Sequence, residues 1–143
     1  MAVVQSVCVS QKKGERKTPV DRATLRADHG IEGDAHAGSA RQVSLLSLDA
    51  LSRMRQKLPT INPGDFAENF NVDGLETLPV AVGRRIRLGA TVVLEVTVIG
   101  KTCHDAGCAI KKAVGTCVMP REGVFARVVV GGEVVPGDTV VLE

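Results

Sequence analysis

Three of the four cysteines of the chain, Cys103, Cys108 and Cys117, fall close together, with His104 beside the first. The surrounding residues are Ile99-Gly-Lys-Thr-Cys-His-Asp-Ala-Gly-Cys-Ala-Ile110 and Gly115-Thr-Cys-Val-Met-Pro-Arg-Glu-Gly-Val-Phe-Ala-Arg127. A thiolate is a strong nucleophile and a soft metal ligand. Spacing leaves three readings open. Cys103 alone can be a reactive thiol, with Lys101 and His104 near enough in sequence to lower its pKa. The four groups together can hold zinc or an iron–sulfur centre, although no CxxC pair repeats and neighbouring side chains diverge. The three cysteines can also be small buried residues. Cys103 and Cys108 lack the two-residue spacing of a thioredoxin-like redox pair.

A second group of polar residues precedes them. His29 and His36 flank Asp34 in the glycine-rich run Asp28-His-Gly-Ile-Glu-Gly-Asp-Ala-His-Ala-Gly38. A His–Asp pair can orient an imidazole for proton transfer or metal binding; equally, the Asp can cap a turn. Asn69, in Phe66-Ala-Glu-Asn-Phe70, can donate to and accept from a ligand at once, or bond its own backbone in a turn. Arg121 can clamp a phosphate or carboxylate, or pair weakly with Glu122 or solvent.

These residues need a frame, and the frame reads as β-rich. Ala2 to Val9 is a strand in which Cys8 is a small buried hydrophobe. Gln11 to Asp28 is a polar loop or short strand pair. Gln42 to Leu46 is a short buried strand, and Ser47 caps a helix from Leu48 to Leu58 that Pro59 ends. Leu48, Leu51, Met54 and Leu58 give it one apolar face, so Met54 is a core residue. Thr91 to Val98 alternates, with Val92, Leu94, Val96 and Val98 on one face and Thr91, Glu95 and Thr97 on the other. Val124 to Val130 is a further strand. Gly131-Gly132 reads as a hairpin turn from which Val134 to Leu142 returns. Pro63-Gly-Asp65 and Pro136-Gly-Asp138 share one turn signal. Many short strands with one helix predict a β-barrel or closed sheet, which also hides edges rich in Val.

The 143 residues fit one domain, 1–143, with a core of Val, Leu, Ile and Ala. Trp and Tyr are absent and only three Phe occur, too few to stack on bases. The net charge of +2 and the missing recognition helix argue against duplex DNA. The basic clusters Lys12, Lys13, Arg16, Lys17 and Arg84, Arg85, Arg87 read as solvated loops and strand faces, or else as anion holders. No apolar run spans a membrane and no signal peptide is visible, so a cytoplasmic protein with free thiols or metal ligands is expected.

In this order and spacing, several segments resemble the MOSC domain family, named after the C-terminal domain of molybdenum-cofactor sulfurases. They are Gly30-Ile-Glu-Gly-Asp-Ala-His-Ala-Gly38, Arg41-Gln-Val-Ser44, Pro63-Gly-Asp-Phe-Ala-Glu-Asn-Phe70, Ile99-Gly-Lys-Thr-Cys103, Met119 to Arg127, and Gly132-Glu-Val-Val-Pro-Gly-Asp138. The resemblance is to small stand-alone bacterial members. It implies a mainly β (α+β) barrel with one or a few peripheral helices. It also implies a strand-end cysteine that carries sulfur or binds molybdenum; aligned without gaps from Val96, this is Cys103, and a short loop insertion would shift the match to Cys108. Asn69 matches a family asparagine near the cofactor. At Ala67, relatives that hold the cofactor firmly often carry a basic residue.

The function expected from the resemblance is binding of molybdopterin or molybdenum cofactor, with sulfur carried as a persulfide on Cys103. Lys101 or Arg121 would meet the pterin phosphate, and Asp34 and His36 would shape the pocket. A separate partner, a cysteine desulfurase or a molybdoenzyme, would supply sulfur or cofactor. Pyridoxal phosphate would belong only to such a partner. The alternatives are a non-catalytic cofactor-delivery module and a zinc-stabilised Cys/His domain.

Overall fold

A computed structural model describes residues 2–12, 16–39, 41–100 and 123–143. In chain order the strands are β1 (Ala2–Val9), β2 (Thr18–Val20), β3 (Ala23–Arg26), β4 (Gly30–Ile31), β5 (Val43–Ser47), β6 (Phe70–Asp73), β7 (Arg85–Leu88), β8 (Val92–Ile99), β9 (Val124–Val130), β10 (Gly132–Val134) and β11 (Thr139–Leu142). The helix α1 (Leu48–Lys57) lies between β5 and β6.

Seven strands, in the order β11-β7-β8-β9-β5-β6-β1, form a barrel that β11 closes by pairing with β1. Strand β2 extends the sheet beyond β1, and β10, β3 and β4 make a small second sheet. One row of partners crosses five barrel strands, from Val7 through Phe70, Leu45 and Val124 to Ile99. Closure leaves few free edges in a chain whose strands are rich in Val.

The apolar side chains divide into two clusters. Val4, Val7, Val43, Leu45, Phe70, Val72, Leu94 and Ala126 belong to the main core. Leu46, Ala50, Leu51, Met54, Ile61, Phe66 and Phe125 form a second cluster that includes the buried face of α1. Strand β5 contributes to both, which is why its five residues are all buried. Alternate residues of a strand face opposite ways, so Leu45 serves one cluster and Leu46 the other.

Helix α1 starts where the sequence predicts. Ser47 Oγ accepts from Ala50 N at 3.0 Å, satisfying one of the free N–H groups of the first turn. It ends at Lys57, one residue early, because Leu58 is already extended ahead of Pro59. The alternation in β8 also breaks early. A register shift between Val96 and Val98 takes Val98 out of the main core and packs it against the second cluster.

The hairpin expected at Gly131-Gly132 does not form. Strand β10 pairs with β3, and β11 with β7 and β1. The two glycines serve a close crossing. A Cβ on Gly131 would stand 2.5 Å from Leu25 O, and one on Gly132, at φ +152°, would stand 2.6 Å from Thr91 Oγ1. The segment between Gln11 and Asp28 contains β2 and β3, but they do not form a strand pair: β2 pairs with β1, and β3 with β4 and β10.

Candidate functional site

The glycine-rich run after β4 brings Asp34 against the end of β1. Asp34 Oδ1 accepts from Ser10 N at 3.0 Å and from Lys17 Nζ at 2.7 Å, and Oδ2 accepts from His36 N at 3.1 Å. The Lys17 and Asp34 side chains are both fully buried. Lys17 therefore departs from its reading as a solvated loop residue. Its ammonium also donates to Ser10 Oγ at 3.1 Å and meets His36 Nδ1 at 3.1 Å.

An ammonium has only donors. In the Lys17–His36 contact the ammonium can only donate, so Nδ1 is the acceptor wherever that contact is a hydrogen bond. The imidazole is partly exposed. It is the end of a buried polar chain, Ser10–Asp34–Lys17–His36. Burial by itself would raise the pKa of Asp34. His36, Lys17 and the Ser10 N–H outweigh that and hold its carboxyl well below the usual carboxylate range. His29, the other histidine of the run, is exposed and takes no part through its ring; its carbonyl accepts from Gly38 N at 2.6 Å.

The Pro63-Gly-Asp65 turn holds Lys17 in place. Lys17 N donates to Gly64 O at 2.8 Å. Gly64 sits at φ +91°, and an added Cβ would collide with the Lys17 carbonyl, 2.7 Å from its carbon. The matching turn at Pro136 has open space around Gly137 at φ +99°. One sequence signal thus makes two turns, of which only the first is also a close contact.

Asn69 is buried and ties three strands together. Its Oδ1 accepts from Ser44 N at 2.9 Å and from Ser44 Oγ at 3.3 Å, and its Nδ2 donates to Cys8 O at 3.0 Å. These bonds brace β5 and β1 at the start of β6. Ala67, two residues earlier, is held in the left-handed region at φ +64°.

Sequence reasoning missed Glu68 and Asn71, both completely buried. Glu68 Oε1 accepts from Phe66 N at 3.1 Å, while Oε2 has no hydrogen-bond partner. Burial pushes the pKa of Glu68 up to about 7. Neither residue carries a sequence signal, since Glu and Asn in a turn and at a strand start read as exposed. Cys8 is buried as expected; burial, then the nearby Glu68 carboxyl, pushes its thiol up to about 12.

The remaining expected site residues, Lys101, Cys103 and Arg121, lie outside the described residues, as do His104, Cys108 and Cys117. The chain leaves the described part at Gly100 and returns at Gly123, where Gly100 N donates to Gly123 O at 2.7 Å. Among the described residues, no three His, Cys, Asp or Glu side chains are placed to hold a metal ion. No described helix is long and apolar enough to cross a membrane.

The sequence pattern of the MOSC domain matches residues 32–141. No curated protein matches the chain at a significant level. Among solved structures, the YuaD protein from Bacillus subtilis is similar, with a TM-score of 0.79 and 20% identity over 98% of this chain and 94% of that one. YiiM from Geobacillus stearothermophilus has a TM-score of 0.74 and 19% identity over 100% of this chain and 75% of that one. YiiM from Escherichia coli has a TM-score of 0.70 and 20% identity over 100% of this chain and 70% of that one. At such identities the likeness concerns the fold.

Proposed function

We propose, from the premise that this chain belongs to the MOSC domain family, that it binds the molybdenum cofactor and carries sulfur on Cys103. The family is linked to that cofactor, and the matched residues include Asp34, His36, Asn69, Lys101, Cys103 and Arg121. The observation that carries the reading is the buried Ser10–Asp34–Lys17–His36 chain. A desolvated ion pair is costly to bury, and this one ends on a partly exposed imidazole.

The described residues fit one part of such a cofactor. A phosphorylated pterin is rich in acceptors, and the partly exposed His36 ring would offer it an N–H. The charge of Lys17 is balanced by Asp34. Neutralising the phosphate therefore falls to Lys101 or Arg121, since Ala67 carries no charge. Asn69 acts in this reading by positioning, because it holds Ser44 and Cys8. When bound, the cofactor would supply a dithiolene-held molybdenum centre open to a sulfur ligand.

The sulfur step needs only Cys103 and a donor persulfide on a separate chain, such as a cysteine desulfurase, which would hold any pyridoxal phosphate. The Cys103 thiolate attacks the outer sulfur of the donor. A new S–S bond forms, the donor S–S bond breaks, and the donor leaves as a thiolate. Cys103 then holds the persulfide for transfer to a partner.

The test is intact mass and metal analysis of wild type and Cys103→Ser, purified from a host that makes the cofactor. Molybdenum with pterin, and a one-sulfur mass gain lost in the variant, is the expected result. Cofactor retained by the variant with no sulfur on wild type would replace sulfur carriage with delivery. Stoichiometric zinc would replace both readings.

A further inference from the structure

Four buried side-chain atoms of the described residues lack a hydrogen-bond partner, and all belong to three residues. They are Ser6 Oγ, Glu68 Oε2, and Nδ2 and Oδ1 of Asn71. The three residues are neighbours. Ser6 and Asn71 are direct partners across β1 and β6. The Asn71 amide favours the ionised form of Glu68, and Ser6 and Glu68 both act on the Cys8 thiol.

The pairing of Ser6 with Asn71 is itself an irregularity. A register shift between Val4 and Ser6 places an extra residue in β1. Without it, Gln5 would oppose Asn71. A bulge re-aims a side chain, and here it sets Ser6 opposite Asn71. Leaving a buried polar group unpaired is destabilising. Ser6 and Asn71 are paired across the strands and Asn71 acts on Glu68, so one small polar partner can serve these atoms together.

We propose that Ser6, Glu68 and Asn71 form an internal hydration site, filled by ordered water, that joins the turn before β6 to strand β1. The orphaned atoms decide the occupant. Asn71 Nδ2 is a donor, Asn71 Oδ1 an acceptor, and Ser6 Oγ is both. Water can meet all of them, since it donates and accepts. A monovalent cation would satisfy the oxygens but leave Nδ2 facing a positive charge. The ammonium of Lys17, which also acts on Cys8, adds to that repulsion. The water would support the same turn on which Lys17 rests through Gly64.

The test is a high-resolution crystal structure of the wild-type protein grown in rubidium chloride. The expected result is density without anomalous signal within hydrogen-bond distance of Glu68 Oε2 and the Asn71 amide. An anomalous rubidium peak there would overturn the proposal in favour of a cation site. A dry site, with Ser6, Glu68 and Asn71 bonded to one another, would overturn it as well. Using the wild-type chain keeps the result independent of any variant that fails to fold.

Discussion

Lys17 Nζ lies 2.7 Å from Asp34 Oδ1, with both side chains shut off from solvent. Removing one partner strands the other charge in the interior, which costs about 3–5 kcal/mol. Lys17→Met should therefore destabilise the protein by that order, and Asp34→Leu likewise. The double variant should lose less than the sum, because no unpaired charge remains. Urea unfolding of the four proteins checks this. Additive losses would mean that the pair contributes nothing as a pair, and the chain to His36 would lose its anchor.

Gly64 meets the Lys17 backbone too closely for any side chain, and at a positive φ. Gly64→Ala should move the segment that carries Lys17, whereas Gly137→Ala meets only the backbone penalty of its φ. Thermal melting of both should show a clearly larger drop at position 64. Heteronuclear spectra should also show His36 perturbed by Gly64→Ala and untouched by Gly137→Ala. Equal drops with no effect at His36 would dismiss the turn as a support of the site.

Two carboxyl groups should give stability opposite responses to pH. Asp34 is depressed in the folded protein, so its contribution is present above the ordinary carboxylate range and is lost as pH falls through and below it. Glu68 is raised, from 4.5 to about 7. Below 4.5 it is protonated folded and unfolded; as pH rises to 7 the unfolded chain releases the proton first, so stability falls. Across that window the loss is about 3 kcal/mol. Glu68→Gln should remove this slope and leave the acid limb of Asp34. A wild-type urea midpoint that does not fall between pH 5 and pH 7.5 would contradict the assignment.

The barrel was legible because strand alternation and turn chemistry are local. Ser47, Pro59 and the Val-rich runs mark their own elements. The strand partners were not legible, and Gly131-Gly132 shows why. A glycine pair reads as a hairpin locally, yet here it lets β10 leave β9 and pair with β3. Of the candidate site, Asp34 and His36 stand out in the sequence because their types announce chemistry. Lys17 was hidden, because a basic residue in a polar run reads as solvated and only the fold brings it to Asp34. Glu68 and Asn71 were hidden for the same reason.

The identity of the working thiol can be settled by reactivity. Cys8 is fully buried, and its pKa is pushed up to about 12 by burial and by Glu68. Only a thiolate attacks, so Cys8 in the native protein should resist alkylation at pH 8 and react only after unfolding. Under the proposed function Cys103 should react in the native state and should be the residue that bears sulfur after exposure to a persulfide donor. Peptide mapping after a brief pulse of iodoacetamide, with and without the donor, reads both events. Cys8→Ala should then leave sulfur loading unchanged, and Cys103→Ser should abolish it. Sulfur found on Cys8 would require the interior around Glu68 to open on the timescale of transfer. It would move the chemistry from the strand-end cysteine to the first strand.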